Sequence, residues 1–163
     1  NDASNNTIKY CNIKGSETSA ASGILFISTT SFSTGNDNNV ISNNDITSSV
    51  SANRPVNAIY SLGTSGKNND GNIISTNNIY DFLNRGAASN GILLSAYTFE
   101  WTIDGNSFYE TASFIPIASV AYNAIQISNT SGYGFIVTNK ELIIPMANTV
   151  KANNLTLVIR FGV

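Results

Sequence analysis

The chain has 163 residues, of which 11% are charged, and a formal net charge of −2, so it is long enough for one domain with a continuous core. This charge balance gives no electrostatic reason to expect a nucleic acid or an anionic membrane as partner. The absence of histidine excludes a Ser-His-Asp triad and an ordinary structural zinc site. Cys11 has no second cysteine to pair with. No run approaches the roughly 18 apolar residues of a spanning helix, so we expect no membrane insertion.

A short motif returns along the chain: an apolar residue, two further positions, an asparagine, one position, and a second apolar residue. Its leading isoleucines recur about every 33 residues, with one shorter interval between Ile74 and Ile103, and a period of this length indicates stacked supersecondary units. The copies are Ile8, Cys11 and Ile13; Ile41, Asn44 and Ile46; Ile74, Asn77 and Ile79; Ile103, Asn106 and Phe108; and a weaker copy at Ile136 and Asn139.

A second series of short apolar runs is interleaved with the first and has nearly the same period. Its leading isoleucines are Ile24, Ile59, Ile92 and Ile125, and residues 154–157 are predicted to be its fifth member. Each run is short and alternating, as β-strands are, and stripes of helical period are absent. Two series with one period therefore predict three short strands per turn, stacked as coils of an all-β solenoid.

The pattern resembles the right-handed, single-stranded parallel β-helix of the pectate-lyase-like superfamily. In that family a buried asparagine ladder occupies the tight turn between the second and third sheets. The resemblance implies the same structural role for Asn44, Asn77, Asn106 and Asn139, while Cys11 departs from it. It also makes the Ile24 series the first sheet. We therefore expect one domain over residues 1–163, a right-handed parallel β-helix of about five coils with roughly 33 residues per coil.

The composition is typical of a secreted or surface-attached bacterial protein. The chain starts with Asn1 and a strand pattern begins by Thr7, so we expect residues 1–163 to be a mature part or fragment of a larger extracellular protein. Two functions are open. One is a non-catalytic structural or adhesive module that binds glycans or stacks head to tail with copies of itself through open coil ends. The other is a polysaccharide lyase or glycoside hydrolase-like domain that acts on an acidic, plant or algal polysaccharide.

Catalysis finds little support on the first sheet, where enzymes of the resembled superfamily work. Alternation points Leu25, Tyr60, Leu93 and Gln126 outward, and none is charged. If the chain is an enzyme, the candidate carboxylates are Asp81, Glu110 and Asp104. The enzyme hypothesis gains if Asp81 and Glu110 converge with a lysine or arginine nearby, and loses if they point apart into solvent.

Two tyrosines give the main binding hypothesis. Tyr80 and Tyr109 follow inward positions on neighbouring coils, so both are expected to point outward. They are candidates for a platform that binds a sugar ring. The alternative is a cross-strand aromatic pair that only stabilises the sheet.

Two aspartates occupy equivalent polar turns. Asp37 and Asp70 lie one full period apart, so stacking is expected to bring them close together. Oxygen-rich turns suit calcium, which makes this pair a calcium candidate; no other cofactor is predicted. The alternative is that both aspartates serve only their turns.

Overall fold

The computed structural model describes residues 2–139, 141–143 and 159–161. Within them, each strand pairs in parallel with a strand one period later, which gives a parallel β-solenoid of about four turns with about 33 residues per turn. The predicted all-β solenoid is therefore confirmed, but with about four turns instead of five, since part of the next turn lies outside the described residues. No helix long and apolar enough to cross a membrane occurs in the described segments.

Among the described residues, three five-stranded sheets run along the solenoid. Each turn contributes one strand to each sheet, and the fifth strands belong to the last turn, of which only part is described. The second sheet contains β1 (Thr7–Lys9), β4 (Val40–Ser42), β8 (Ile73–Ser75), β12 (Thr102–Asp104) and β15 (Ile136–Thr138). The third sheet contains β2 (Asn12–Gly15), β5 (Asp45–Ser48), β9 (Asn78–Tyr80), β13 (Ser107–Tyr109) and β16 (Glu141–Ile143). The first sheet contains β3 (Leu25–Ile27), β6 (Asn57–Ser61), β10 (Ser89–Leu94), β14 (Tyr122–Ile127) and β17 (Ile159–Phe161). A two-stranded sheet joins β7 (Asn69–Asp70) and β11 (Thr98–Phe99).

Apolar side chains at matching positions form the core. In the second sheet, Ile41, Ile74 and Ile103 are in register and at most 3% exposed. Ile46, Ile79 and Phe108 in the third sheet, and Ile59, Ile92 and Ile125 in the first, are fully buried. Burying one such side chain contributes about 1.5–3 kcal/mol, so the constant period of the sequence produces one continuous apolar interior.

The register differs from the prediction at both ends of the repeat. Val137, and not Ile136, pairs with Ile103. Leu25, and not Ile24, pairs with Ile59, so Phe26 takes the outward place predicted for Leu25 and stacks on Tyr60 at 5.0 Å. Because loop lengths vary between coils, the strand position that faces the core shifts by one residue at these two places, and an apolar residue occupies it in both.

The predicted fifth member of the first-sheet series, residues 154–157, lies outside the described residues. The strand that pairs with β14 is β17, and Ile159 is in register with Ile125.

Asn44, Asn77 and Asn106 form the predicted ladder inside the two-residue turns between the second and third sheets. They are at most 2% exposed. The backbone N–H and the Nδ2 of Asn44 both donate to Asn77 Oδ1, and those of Asn77 donate to Asn106 Oδ1, at 2.9–3.0 Å. The remaining amide hydrogen reaches a carbonyl one coil back, as Asn77 Nδ2 does at the oxygen of Ile41 (2.9 Å). Every buried amide in the ladder is thus satisfied.

Asn139 does not belong to this ladder, so its assignment to it is wrong. The shift to Val137 moves Asn139 into the left-handed turn position, with φ of 46°, which Asn43 (55°) and Thr76 (56°) occupy in earlier coils. Asn139 is exposed there and donates to Asp104 Oδ1 at 2.9 Å. Asparagine tolerates this conformation better than most residues. The ladder position itself falls on residue 140, outside the described residues.

Cys11 occupies the first ladder position. Its N–H donates to Asn44 Oδ1 at 3.0 Å, as an asparagine there would. The residue is exposed, because no coil among the described residues covers it.

The structure contains further amide ladders that the motif did not reveal. Asn57, Asn90 and Asn123 are linked through their side-chain amides at 2.8 Å each. The other ladders join Asn36 to Asn69, and Asn6 to Asn39 and Asn72. Their members also recur with the period of the solenoid, which is the signal that sequence reasoning could have used.

Candidate functional site

Asp81 and Glu110 lie side by side at the end of the third sheet. Tyr80 and Tyr109 are in register, so the residues that follow them occupy equivalent places on neighbouring coils. Asp81 has a left-handed backbone, with φ of 50°, and its N–H donates to the carbonyl of Tyr109 at 3.1 Å. The chain leaves the sheet at these two residues, and both carboxyl groups lie near the same third residue.

Arg54 is that residue. It lies between β5 and β6, one coil earlier than Asp81, and its side chain is 16% exposed. Its Nη1 donates to Glu110 Oε2, and its Nη2 lies 3.6 Å from Asp81 Oδ1. The guanidinium is therefore fixed by two carboxylates from two coils. Asn84 holds the backbone of the same residue, since its Nδ2 donates to the main-chain carbonyl of Arg54 at 2.7 Å.

Glu110 is the most deeply buried carboxyl group of this cluster, with 1% of its side chain exposed. Its Oε1 accepts the N–H of Leu83 at 3.2 Å. Burial raises the pKa of Glu110 to about 7, against the opposing effect of the hydrogen bond and charge of Arg54. The group is thus poised to titrate near neutral pH.

An insertion in the fourth coil builds a cavity beside Arg54. Tyr80 and Asn90 are ten positions apart, but their partners in the next coil, Tyr109 and Asn123, are fourteen apart. The additional residues lie in the segment between β13 and β14. A cavity of about 240 Å³ is lined by Ser51, Arg54, Arg85, Ser113, Phe114 and Ile115.

Arg85 supplies the second guanidinium of the cavity wall. Its Nε donates to the carbonyl of Ile115 at 2.7 Å, and its own carbonyl accepts the N–H of Ile117 at 2.9 Å. Within the described residues its terminal nitrogens have no hydrogen-bond partner, so they are available as donors. Phe114 closes the apolar side, edge-on to Tyr122 with ring centroids 5.3 Å apart.

The geometry of the carboxyl groups is better suited to holding Arg54 than to catalysis. Asp81 and Glu110 do converge beside an arginine, which is the arrangement expected for an enzyme. However, both Glu110 oxygens already accept hydrogen bonds, and Asp81 accepts the N–H and the hydroxyl of Thr111 at 2.9 and 2.7 Å. A general acid must reach its substrate, and Glu110 reaches none without rearrangement.

Asp104 is not part of this cluster. It ends β12 in the second sheet, where its Oδ1 accepts hydrogen bonds from the Thr138 hydroxyl and from Asn139. The structure therefore brings together two of the three candidate carboxylates.

Tyr80 and Tyr109 are stacked, with ring centroids 5.1 Å apart and planes 11° from parallel. Each ring covers part of the other's face, and a sugar normally stacks on a free face. Both are partly buried, and burial followed by the charges of Asp45 and Asp81 raises the pKa of Tyr80. The pair matches a cross-strand contact that stabilises the sheet; sugar binding there stays a prediction.

Asp37 and Asp70 also lie together, since the N–H of Asp70 donates to Asp37 Oδ1 at 2.9 Å. Burial, and then the charges of Asp37 and Glu100, raise the pKa of Asp70. Within the described residues no cluster of three or more histidine, cysteine or acidic residues could hold a metal ion. Calcium at this pair stays a prediction that only two carboxylates support.

Sequence reasoning missed Arg54, Arg85 and the cavity between them. The signal lay in the intervals: the motif series has one short interval, from Ile74 to Ile103, yet the first-sheet series keeps its full period from Ile92 to Ile125. The residues that the repeat loses between Ile92 and Ile103 are therefore regained between Ile103 and Ile125. That compensating insertion forms the cavity wall.

The fold defines a class of protein, the parallel β-solenoids with buried asparagine ladders. Comparisons with protein-family models, with curated proteins and with solved structures found no match.

Proposed function

We propose that the chain is a non-catalytic, extracellular β-helix module that binds a carbohydrate in the cavity beside Arg54. The observation that carries the proposal is the immobilised guanidinium of Arg54 at the wall of a cavity formed by an insertion in the repeat. An arginine fixed by two carboxylates loses little conformational freedom when a ligand binds, so less affinity is lost to ordering.

The cavity lining has the mixture of groups that sugars require. Arg85, Ser51 and Ser113 offer donors for hydroxyl groups, and Phe114 and Ile115 offer an apolar wall for the C–H face of a ring. The volume of about 240 Å³ is below the roughly 300–1,000 Å³ of typical small-molecule sites. We therefore expect a terminal sugar residue, with the rest of the glycan outside.

The binding test compares the protein with two variants on a glycan array, followed by calorimetry on any glycan that is retained. Arg85→Ala removes the free guanidinium and is expected to weaken binding about tenfold or more, the effect of losing a charged hydrogen bond. Lys14→Ala, a cation on the third sheet away from the cavity, is the control and should bind normally. Retention of no glycan, or equal binding by both variants, would overturn the proposal.

The enzyme function remains a second candidate because Asp81 and Glu110 converge on Arg54. Reducing-end assays on pectin, alginate and neutral polysaccharides test it directly. Cleavage that is lost in Glu110→Gln and retained in Asn78→Ala would replace binding with catalysis as the function of this cavity.

The relationship to the pectate-lyase-like β-helices and the extracellular location belong to the same proposal. The buried asparagine ladder and the sheet order support the relationship. The composition, rich in uncharged polar residues and low in charge, supports the location.

A further inference from the structure

The side chains that line the cavity beside Arg54 offer many hydrogen-bond donors and few acceptors. Among the described residues that line it, none has a carboxylate or an amide side chain, so the oxygens of Ser51 and Ser113 are the side-chain acceptors. Neither hydroxyl has a hydrogen-bond partner in the described part of the chain. A neutral sugar hydroxyl must donate as well as accept, whereas an ionised oxyanion only accepts. The lining therefore suits an oxyanion better than a neutral hydroxyl.

The cavity also carries one uncompensated positive charge. The charge of Arg54 is opposed by Asp81 and Glu110. Arg85 forms no salt bridge with any described residue, and its Nε is occupied by the carbonyl of Ile115 at 2.7 Å. That bond fixes the side chain and leaves both Nη groups for a ligand. Hydrogen bonds from a guanidinium to an anionic oxygen are roughly twice as strong as those between neutral groups, so this charge favours an anion.

The donors come from three successive coils, which bears on the shape of the anion. Ser51 lies between β5 and β6, Arg85 between β9 and β10, and Ser113 between β13 and β14. A planar carboxylate has two oxygens, and the two Nη groups of one arginine satisfy both. A phosphate or sulfate ester has three terminal acceptor oxygens that point in different directions. A tetrahedral group can therefore accept from the guanidinium and from both serines together.

We propose that Arg85, Ser51 and Ser113 form a binding site for a tetrahedral oxyanion, which the sugar carries as a sulfate or phosphate ester. The sugar itself comes from the carbohydrate-binding function proposed above, on which this inference rests. Phe114 and the side chain of Ile115 then contact the apolar face of the ring that carries the ester. Arg54 stays paired with its two carboxylates and forms a rigid part of the wall.

Titration with inorganic anions tests the site without a sugar. The amide NMR signals of Ser51, Arg85 and Ser113 are followed while sodium sulfate or sodium phosphate is added, with sodium acetate at equal ionic strength as the planar control. At least one of the two tetrahedral anions is expected to shift these signals to saturation, and acetate is not. The absence of a saturable shift with both, or an equal shift with acetate, would overturn the inference.

A glycan array with matched sets identifies the ester. Each set holds one glycan in its neutral, uronate, sulfated and phosphorylated forms. The sulfated or the phosphorylated form is expected to bind about tenfold or more tightly than the neutral and uronate forms. Preference for a neutral or uronate form would overturn the inference and leave carbohydrate binding in place. Retention of no glycan, together with saturable anion shifts, would overturn carbohydrate binding but support the oxyanion site.

Two serine variants test the donors one at a time. Ser51 and Ser113 are exposed, so Ser51→Ala and Ser113→Ala should keep the fold. Each is expected to weaken binding of the retained ester, or of the inorganic anion, about tenfold in calorimetry, because each removes a hydrogen bond to a charged group. Ser65→Ala, at an exposed position in the turn between β6 and β7, is the matched control. Equal affinity in all three variants would contradict the proposed site.

Discussion

The solenoid connects its sheets in two contrasting ways. Between the second and third sheets, two-residue turns recur with the same bonding, so that Asn44, Asn77 and Asn106 repeat one arrangement. Between the third and first sheets the connections differ in length, and Arg54 and Glu110 from different coils meet there. The uniform turn stabilises the stack. The variable connection breaks the repeat, and the candidate site lies at that break.

The uniform turn predicts the largest loss of stability on mutation. Asn77→Ala removes four hydrogen bonds. It leaves the buried N–H and one amide hydrogen of Asn44 without partners, takes one donor from the Ile41 carbonyl, and leaves Asn106 Oδ1 with only the backbone N–H of residue 77. Since each such group costs about 1–3 kcal/mol, we expect about 4 kcal/mol less free energy of unfolding, measured by urea denaturation.

The neighbouring asparagine is the control for this prediction. The side chain of Asn78 is exposed and bonds to Asp45 on the surface, at 2.8 Å. Asn78→Ala should change the stability by about 0.5 kcal/mol or less. Equal losses at both positions would show that the ladder contributes no more than a surface asparagine.

The variable connection predicts a pH dependence of opposite sign to that of an ordinary carboxylate. The folded-state pKa of Glu110, about 7, exceeds its ordinary value of 4.5. The contribution of Glu110 to the free energy of unfolding is therefore greatest below about pH 4.5. It falls by about 3 kcal/mol as the pH rises from there through about 7.

Glu110→Gln isolates this effect because it keeps the shape and removes the titration. Unfolding of both proteins is followed by urea titration between pH 4 and 8. The stability of the natural protein relative to Glu110→Gln should fall with rising pH across this range. A difference that rises with pH would mean that the pairing with Arg54 outweighs the burial of Glu110.

How much the sequence predicts also differs between the two connections. The buried turn mainly requires a side-chain amide whose hydrogen bonds are all made. The regular spacing of Asn44, Asn77 and Asn106 made this turn predictable from the sequence. Arg54 and Glu110 lie far apart in the chain and meet only after loops of different length have folded. Loop length also moved Asn139 out of the ladder, because one residue of shift exchanges inward and outward positions.

The stacked tyrosines offer a smaller test of the outer surface. Tyr109→Ala removes the contact with Tyr80 and should lower the free energy of unfolding by about 1 kcal/mol, the usual size of an aromatic pair. Glycan binding at the Arg54 cavity should be unchanged. If binding is lost while Arg85→Ala still binds, the tyrosine pair is the sugar platform instead.

The smallest expected effect is a gain at the open end of the ladder. Cys11 already donates its N–H to Asn44 Oδ1, but it has no amide to supply the second bond made by Asn44 and Asn77 in later coils. Cys11→Asn should add that bond and stabilise the fold by about 0.5 kcal/mol, the low end for a hydrogen bond because the site is exposed to water. Cys11→Ser is the control that removes the thiol without adding the amide. If both variants have the same unfolding midpoint, the ladder needs burial to contribute, and its strength comes from the coils that cover it.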